Sequence, residues 1–213
     1  MQPSLAGKDK KLFYKYLDNA SVYFEYGSGG STYQASIRKN IKTIYSVESD
    51  ITWQKKLQQI IVHSNIRYIY NEMDTKPNNW GNPGKNATNI QKINYSSHIT
   101  KLSKEEQNSI DLVLIDGRFR VACCLKCYDI INDNCLIIFD ESTNALDNMT
   151  ESKLLSNLIR NDKSNRSLVF ISHRLSLAEK VDKVIFVKNS KVIEVDEHLK
   201  LMKRNKPYRE LIY

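Results

Sequence analysis

Two carboxylates and a glycine-rich bend in the first quarter of the chain have the types and spacing of a cradle for a nucleoside-type ligand. The segment Val22-Tyr23-Phe24-Glu25-Tyr26-Gly27-Ser28-Gly29-Gly30-Ser31-Thr32 sets an apolar strand directly before a turn and a helix. Glycines there let the backbone pass close to a ligand, since a Cβ would collide with it or forbid the turn. The bend reads GxGG, not the GxGxxG of dinucleotide folds, and Glu25 precedes its first glycine by two residues. An acidic group at that place suits a cofactor with a cationic amino-acid end better than one carrying a pyrophosphate. About twenty residues on, a second strand ends in Val47-Glu48, where a carboxylate can accept both hydroxyls of a ribose. Later, Asp116 closes another apolar strand and leads into Gly117-Arg118-Phe119-Arg120. Two roles compete for Asp116: a base or orienting group for an acceptor nucleophile, or an N-cap for the next helix. Arg118 and Arg120 could bind an anionic acceptor or anchor that helix.

The elements that must position these groups alternate in type. Short β-branched or aromatic runs read as strands at Val22–Glu25, Thr43–Val47, Arg67–Tyr70, Leu112–Ile115 and Leu136–Phe139. Helical patterns fall at Lys8–Leu17, Tyr33–Lys39, Thr52–Ser64 and Phe119–Ile131. Strands alternating with helices predict an α/β fold with a Rossmann-like, doubly wound, mostly parallel sheet. The polar stretch Asn71–Ser109, with Pro77, Gly81, Pro83 and Gly84, reads as a long lid or binding loop. Beyond Asp140 the pattern continues as a helix near Glu151–Arg160, a strand at Leu168–Ser172 and a helix near Leu175–Lys180. A hairpin follows, Lys183–Val187 and Lys191–Val195, and then helical ends at Glu197–Lys203 and Tyr208–Tyr213.

Composition narrows the function classes. At 213 residues, 41% hydrophobic and 26% charged, the chain can bury one α/β core. The net charge of +8 is spread evenly, with 18 basic against 14 acidic residues up to Asp140 and 14 against 10 after it. No basic stripe interleaved with aromatics stands out, so a solvated lysine-rich surface is expected and no nucleic-acid footprint. The longest apolar runs fall far short of the ~20 residues a transmembrane helix needs. With no apolar h-region near the amino terminus, a cytoplasmic setting is expected. Cys124 and Cys127 form a CxxC without a second pair, so with Cys123 and Cys135 they are expected to be buried free thiols.

Several strings together resemble successive motifs of class I S-adenosylmethionine-dependent methyltransferases. They are Glu25–Thr32, Val47-Glu48-Ser49-Asp50 with Trp53, Trp80-Gly81-Asn82-Pro83, and Asp116-Gly117-Arg118-Phe119-Arg120-Val121-Ala122-Cys123, in order from about residue 12 to 139. The resemblance implies an S-adenosylmethionine site at the carboxyl ends of the strands. Glu25 with Gly27, Ser28, Gly29, Gly30 and Ser31 would face the methionine moiety, Glu48 the ribose, and Asp74 with Trp80 the adenine or lid region. Asp116 and Arg118 would serve the acceptor.

The last third resembles a different family. Leu136-Ile137-Ile138-Phe139-Asp140-Glu141, Ser142-Thr143-Asn144-Ala145-Leu146-Asp147 and His173-Arg174-Leu175-Ser176 are similar to the Walker B, D-loop and H-loop of an ABC-exporter ATPase. In that family the aspartate holds Mg²⁺ through water and the glutamate polarises the attacking water. Yet the sequence has no GxxxxGK followed by Ser or Thr, and no LSGGQ-like signature before Asp140. Asp140, Glu141, Asp147 and His173 thus keep their places with no loop to grip a triphosphate, and autonomous ATP hydrolysis is not expected.

The two resemblances meet on one strand, and they predict a methyltransferase-like domain over 1–139 and an ABC-ATPase-like segment over 140–213 sharing its sheet. The strand at Leu168–Ser172 is expected on the outer edge beside Leu136–Phe139. The function expected is methyl transfer from S-adenosylmethionine to an unknown acceptor. The alternatives are an interaction or regulatory module that pairs with an ABC-transporter subunit through Asp147 and His173, or two reading frames joined without an evolved function.

Overall fold

Six short apolar strands lie side by side, all parallel, in a computed structural model that describes every residue except 4, 6, 63–64, 141–148, 150–152, 155, 157–166, 173–174, 189–190 and 211–213. They are β1 (Val22–Tyr26), β2 (Thr43–Glu48), β3 (Ile66–Tyr70), β4 (Leu112–Ile115), β5 (Leu136–Asp140) and β6 (Ser167–Ile171). The order across the sheet is β3-β2-β1-β4-β5-β6. All four residues of β4 are buried, as are the first four of β5, because helices cover both faces of the sheet centre. At the edges β3 and β6 are only half-buried.

Alternation along the strands sorts their side chains into two cores. Phe24, Tyr26, Val113, Ile115, Ile137 and Phe139 face one side, together with Tyr95 and the cysteines. Tyr23, Ile44, Leu112, Leu114, Leu136 and Ile138 face the other, with Phe13, Leu17 and Ala35. The covering helices are α1 (Gly7–Leu17), α2 (Gly30–Ser36), α3 (Ile51–Ile60), α4 (Asn89–Ser96), α5 (Lys104–Ser109) and α6 (Arg120–Tyr128). Strand order reverses between β1 and β4, where Tyr26 pairs with Ile115, and the crevice beyond such a reversal is where α/β sheets bind ligands.

The structure departs from the sequence-based reading in several elements. The stretch 71–109 is not one long loop: it holds α4, a 3₁₀ turn at Ile99–Lys101, and α5. Each helix starts on a capping box, Thr88 with Gln91 and Ser103 with Glu106, which satisfies the free N–H groups of a first turn. Helix α2 begins at Gly30, three residues before the expected start, and α3 stops at Ile60. Instead of a helix over 175–180 there is a 3₁₀ turn, Leu175–Leu177. The helix expected near 151–160 falls largely outside the described residues, as do Glu141, Asp147 and His173.

Strand β6 lies on the outer edge beside β5, with Asp140 opposite Ile171, as expected for the strand at Leu168–Ser172. The hairpin, β7 (Val184–Lys188) and β8 (Lys191–Asp196), forms a separate antiparallel pair and does not close the main sheet. It packs with α7 (His198–Arg204) and α8 (Lys206–Arg209) around Phe186, Leu201 and Tyr208. Among the described residues no helix is long and apolar enough to cross a membrane, and all four cysteines are buried free thiols.

Candidate active site

The glycine bend is shaped from below by a buried carboxylate. Glu25 is fully buried one residue before the end of β1, on the same face as Tyr23. Its oxygens accept hydrogen bonds from the hydroxyls of Tyr23 (2.8 Å), Ser31 (2.6 Å), Ser46 (2.6 Å) and Thr32. Thr32 Oγ1 in turn accepts from Gly29 N at 2.8 Å. Since Ser46 gives its only proton to Glu25, the 2.6 Å contact between Ser28 and Ser46 has Ser28 as donor. Burial raises the Glu25 carboxyl above its ordinary value, outweighing four hydroxyl donors that favour the anion. The role implied for Glu25, facing the methionine moiety, is therefore corrected: this carboxylate holds the bend and does not line the cleft.

The glycines divide by what each would meet with a side chain. Gly27 has φ +95° and a Cβ there would lie 2.9 Å from Gly117 Cα, so backbone shape and packing both demand glycine. At Gly30 a Cβ would strike the Gln2 carbonyl oxygen at 1.9 Å. Gly29 differs: its φ of 175° lies outside the left-handed region, and a Cβ would find nothing within 4 Å. Packing gives no reason for glycine at 29, and the space beside it belongs to a cavity of about 840 Å³, within the usual range for small-molecule sites.

Glu48, at the end of β2, lines the same cavity. Its Oε2 accepts from Ser28 N at 3.2 Å and its Oε1 from Ser49 N (2.6 Å) and Asp50 N (2.8 Å). Burial pushes its carboxyl above the ordinary value, with the three backbone donors opposing. Asp50 caps α3 by accepting from Thr52 N and Trp53 N, and its other oxygen accepts from Asn78 N at 3.0 Å. Trp53 Nε1 donates to Ser28 O at 2.8 Å, so the Ser28 peptide is held at both ends. The segment around Gly81 folds over this corner, with Ser49 Oγ donating to Gly81 O at 2.9 Å. Trp80 lines the cavity and is 80% exposed. Asp74 is not brought to the cavity: its exposed carboxylate accepts from Asn86 N at 3.0 Å, inside its own loop.

A further side of the cavity is built at the ends of β4 and β5. Arg120 Nη2 donates to Asp116 Oδ1 at 3.0 Å, Nε donates to Gly117 O at 3.1 Å, and Nη1 reaches the Asp140 carbonyl oxygen. The Asp140 carboxylate lies 3.8 Å from the same Nη1. Arg120 thus ties two adjacent strand ends together, the anchoring role left open by the sequence. Burial raises the Asp116 carboxyl, while Arg120 and then Asp140 pull it the other way. Asp140, expected only as a remnant of an ATPase motif, lines the same cavity as Glu48 and Asp116. Arg118 Nη1 donates to Asn82 Oδ1 at 3.0 Å and so joins the β4 loop to the segment over the cleft.

The structure accordingly gathers Gly27, Ser28, Gly29, Gly30, Ser31, Glu48, Trp80, Asp116 and Arg118 around one cavity, and leaves out Glu25 and Asp74. Sequence reasoning missed Tyr95, which the fold brings to the same wall from α4. The capping box at Thr88 could have revealed its helix, but nothing in the sequence signals its depth.

No protein-family model matches the chain. A solved methyltransferase-like protein from Silicibacter pomeroyi DSS-3 is similar over 60% of this chain and 66% of its own, at 26% identity and a TM-score of 0.52. Among curated proteins, the lactococcin-A transport/processing ATP-binding protein LcnC of Lactococcus lactis is 42% identical over 78 residues, 37% of this chain and 10% of that protein. The ATP-dependent lipid A-core flippase of Photorhabdus laumondii is 30% identical over 165 residues, 72% of this chain and 27% of its own length. The chain spans only about a tenth of the first curated relatives that it matches. It therefore combines the fold of a methyltransferase-like protein with sequence similar to ABC-transporter ATP-binding proteins in its carboxyl-terminal part.

Proposed function

We propose that the chain binds S-adenosylmethionine in this cleft and transfers its methyl group to an acceptor. The observation that carries the reading is Gly29, a glycine that packing does not require, beside a cavity that Glu48 also lines. The residues fit the cofactor: with three of its four acceptor sites taken by backbone N–H groups, Glu48 keeps one on Oε2 for a ribose hydroxyl, and the open space at Gly29 suits the amino-acid tail. When bound, S-adenosylmethionine supplies a methyl group on a sulfonium centre, so alignment with the acceptor does most of the work. Ser28 and Ser31 hold the bend in place, Trp80 and the segment over the cleft shield it from water, and Asp116 with Arg118 orients the acceptor.

In this reading residues 1–139 form the cofactor-binding domain, and 140–213 extend its sheet and wall through Asp140 and β6. Reduced, buried cysteines accord with a cytoplasmic setting. Calorimetry with S-adenosylhomocysteine tests the proposal: the wild-type chain binds it, and Glu48→Ala loses that binding while keeping its thermal transition. A wild-type chain that folds but does not bind would sink the reading.

A second reading draws on the 42% identity to LcnC: the carboxyl-terminal segment associates with an ABC subunit through Asp147 and His173, without hydrolysing ATP itself. It requires nucleotide-dependent association with an intact ABC ATPase domain, and the absence of any complex with or without Mg-ATP rejects it.

A further inference from the structure

The wall of the cavity carries a buried hydrogen-bond donor for which the described residues supply no acceptor. Tyr95, near the end of α4, is 1% exposed. Its ring lies between those of Tyr26 and Phe119, with centroids 5.6 and 5.9 Å away. Its hydroxyl end meets Gly117 and Arg118, both on the cavity wall. The oxygen accepts from Arg118 N at 3.3 Å, and a Cβ on Gly117 would come within 2.1 Å of it. Neighbouring buried tyrosines place their protons: Tyr23 donates to Glu25 at 2.8 Å and Tyr26 to Ser96 O at 2.7 Å. The Tyr95 proton has no acceptor among the described residues, a state native interiors rarely leave unresolved. Burial, with Cys123 and Glu48 nearby, raises its pKa well above the ordinary value, so the phenol stays a donor at working pH.

We propose that Tyr95 is a ligand-binding residue whose hydroxyl donates a hydrogen bond to the adenosine half of the bound cofactor, at a ring nitrogen or the ribose ring oxygen. This rests on the reading of the cleft given above. The adenosine half is chosen by the geometry of the two faces. Gly29 and Gly30 lead into α2, which packs with Ala35 on one face of the sheet, whereas Tyr95 belongs to the core on the other. The two ends of a ligand seated across the strand ends therefore meet different walls, the amino-acid tail at the bend and the nucleoside near Tyr95. The α-carboxylate, which could accept from a phenol, goes with the tail to the bend, whereas the adenine nitrogens and the ribose ring oxygen are acceptors on the nucleoside side.

Calorimetry on the full chain compares the wild type with Tyr95→Phe, using S-adenosylhomocysteine and adenosine as separate probes. Loss of one hydrogen bond weakens both probes by about fivefold to tenfold, with the thermal transition of the ligand-free variant retained. Unchanged affinity for both probes, or a loss confined to S-adenosylhomocysteine, overturns the assignment while leaving the cofactor reading intact. A wild-type chain that binds neither probe defeats both. Should Tyr95→Phe fail to fold, the wild type is titrated with 1-, 3- and 7-deaza and carbocyclic analogues of S-adenosylhomocysteine, which keep the hydroxyl Glu48 would hold. A fivefold or greater loss for one member supports the assignment, and a flat series rejects it.

Discussion

Replacing Gly29 by alanine separates ligand binding from folding. In the free protein the added methyl would touch nothing within 4 Å, and φ at 29, 175°, lies outside the left-handed region. The expected change in stability is within about 0.5 kcal/mol, which for a domain of this size moves the melting temperature by under about 2 °C. The same methyl would project into the space assigned to the amino-acid tail. Forcing a methyl group into filled space costs about 1–3 kcal/mol, a weakening of about fivefold to 150-fold. Thermal unfolding followed by circular dichroism gives the first quantity, and calorimetry with S-adenosylhomocysteine gives the second. Gly30→Ala serves as the contrast, because its Cβ would fall 1.9 Å from the Gln2 carbonyl oxygen and must displace the amino-terminal segment. If Gly29→Ala binds as tightly as the wild type while folding normally, no ligand lies beside that glycine and the argument from it fails.

Two further outcomes follow from buried groups. Because burial raises the Glu25 carboxyl above its unfolded value near 4.5, the native chain holds that proton more tightly than the unfolded one. The stabilisation this gives is complete below the unfolded value and is lost as pH rises through the folded one. Wild-type stability in urea melts should therefore fall relative to Glu25→Gln on going from pH 4.5 to neutrality, by about 1.4 kcal/mol for each tenfold difference in proton affinity; a difference that stays flat or grows in the other direction contradicts the burial argument. The four cysteines are buried, and burial raises the thiols of Cys123, Cys124 and Cys127 well above the ordinary value. A thiol reagent such as Ellman's should label none of the four in the native chain and all of them in guanidinium, and rapid native labelling would place them elsewhere.

Strand positions were legible because each β-strand is a short apolar run bounded by polar residues, and β4 was read to the residue. Helices α4 and α5 were not, since their stretch is polar and Ile90 and Ile93 are exposed, which leaves a weak apolar period; the boxes Thr88–Gln91 and Ser103–Glu106 were the local sign. Glu25 was given a ligand role by its nearness to the bend in sequence. Parity along β1 argues otherwise, because Glu25 alternates with Phe24 and Tyr26 and so points with Tyr23 into a core. Groups that reach the crevice sit at or just beyond a strand end: Glu48, Asp116 and Asp140. Tyr95 lay out of reach of such reasoning, since its place depends on how α4 packs against Tyr26, sixty-nine residues earlier.

The contact between Gly27 and Gly117 sets the gauge of the crevice. With Cβ positions that would fall 2.9 Å from the opposing backbone on either side, main chain rests on main chain where β1 and β4 part. The width of the crevice there is then fixed by peptide geometry and is independent of which side chains decorate the rim. Under the proposed methyl transfer, a lineage could exchange Arg118, Trp80 or Ile171 to admit a new acceptor without retuning the grip on the old donor, whereas any side chain at 27 or 117 would pry the two strands apart and lose both.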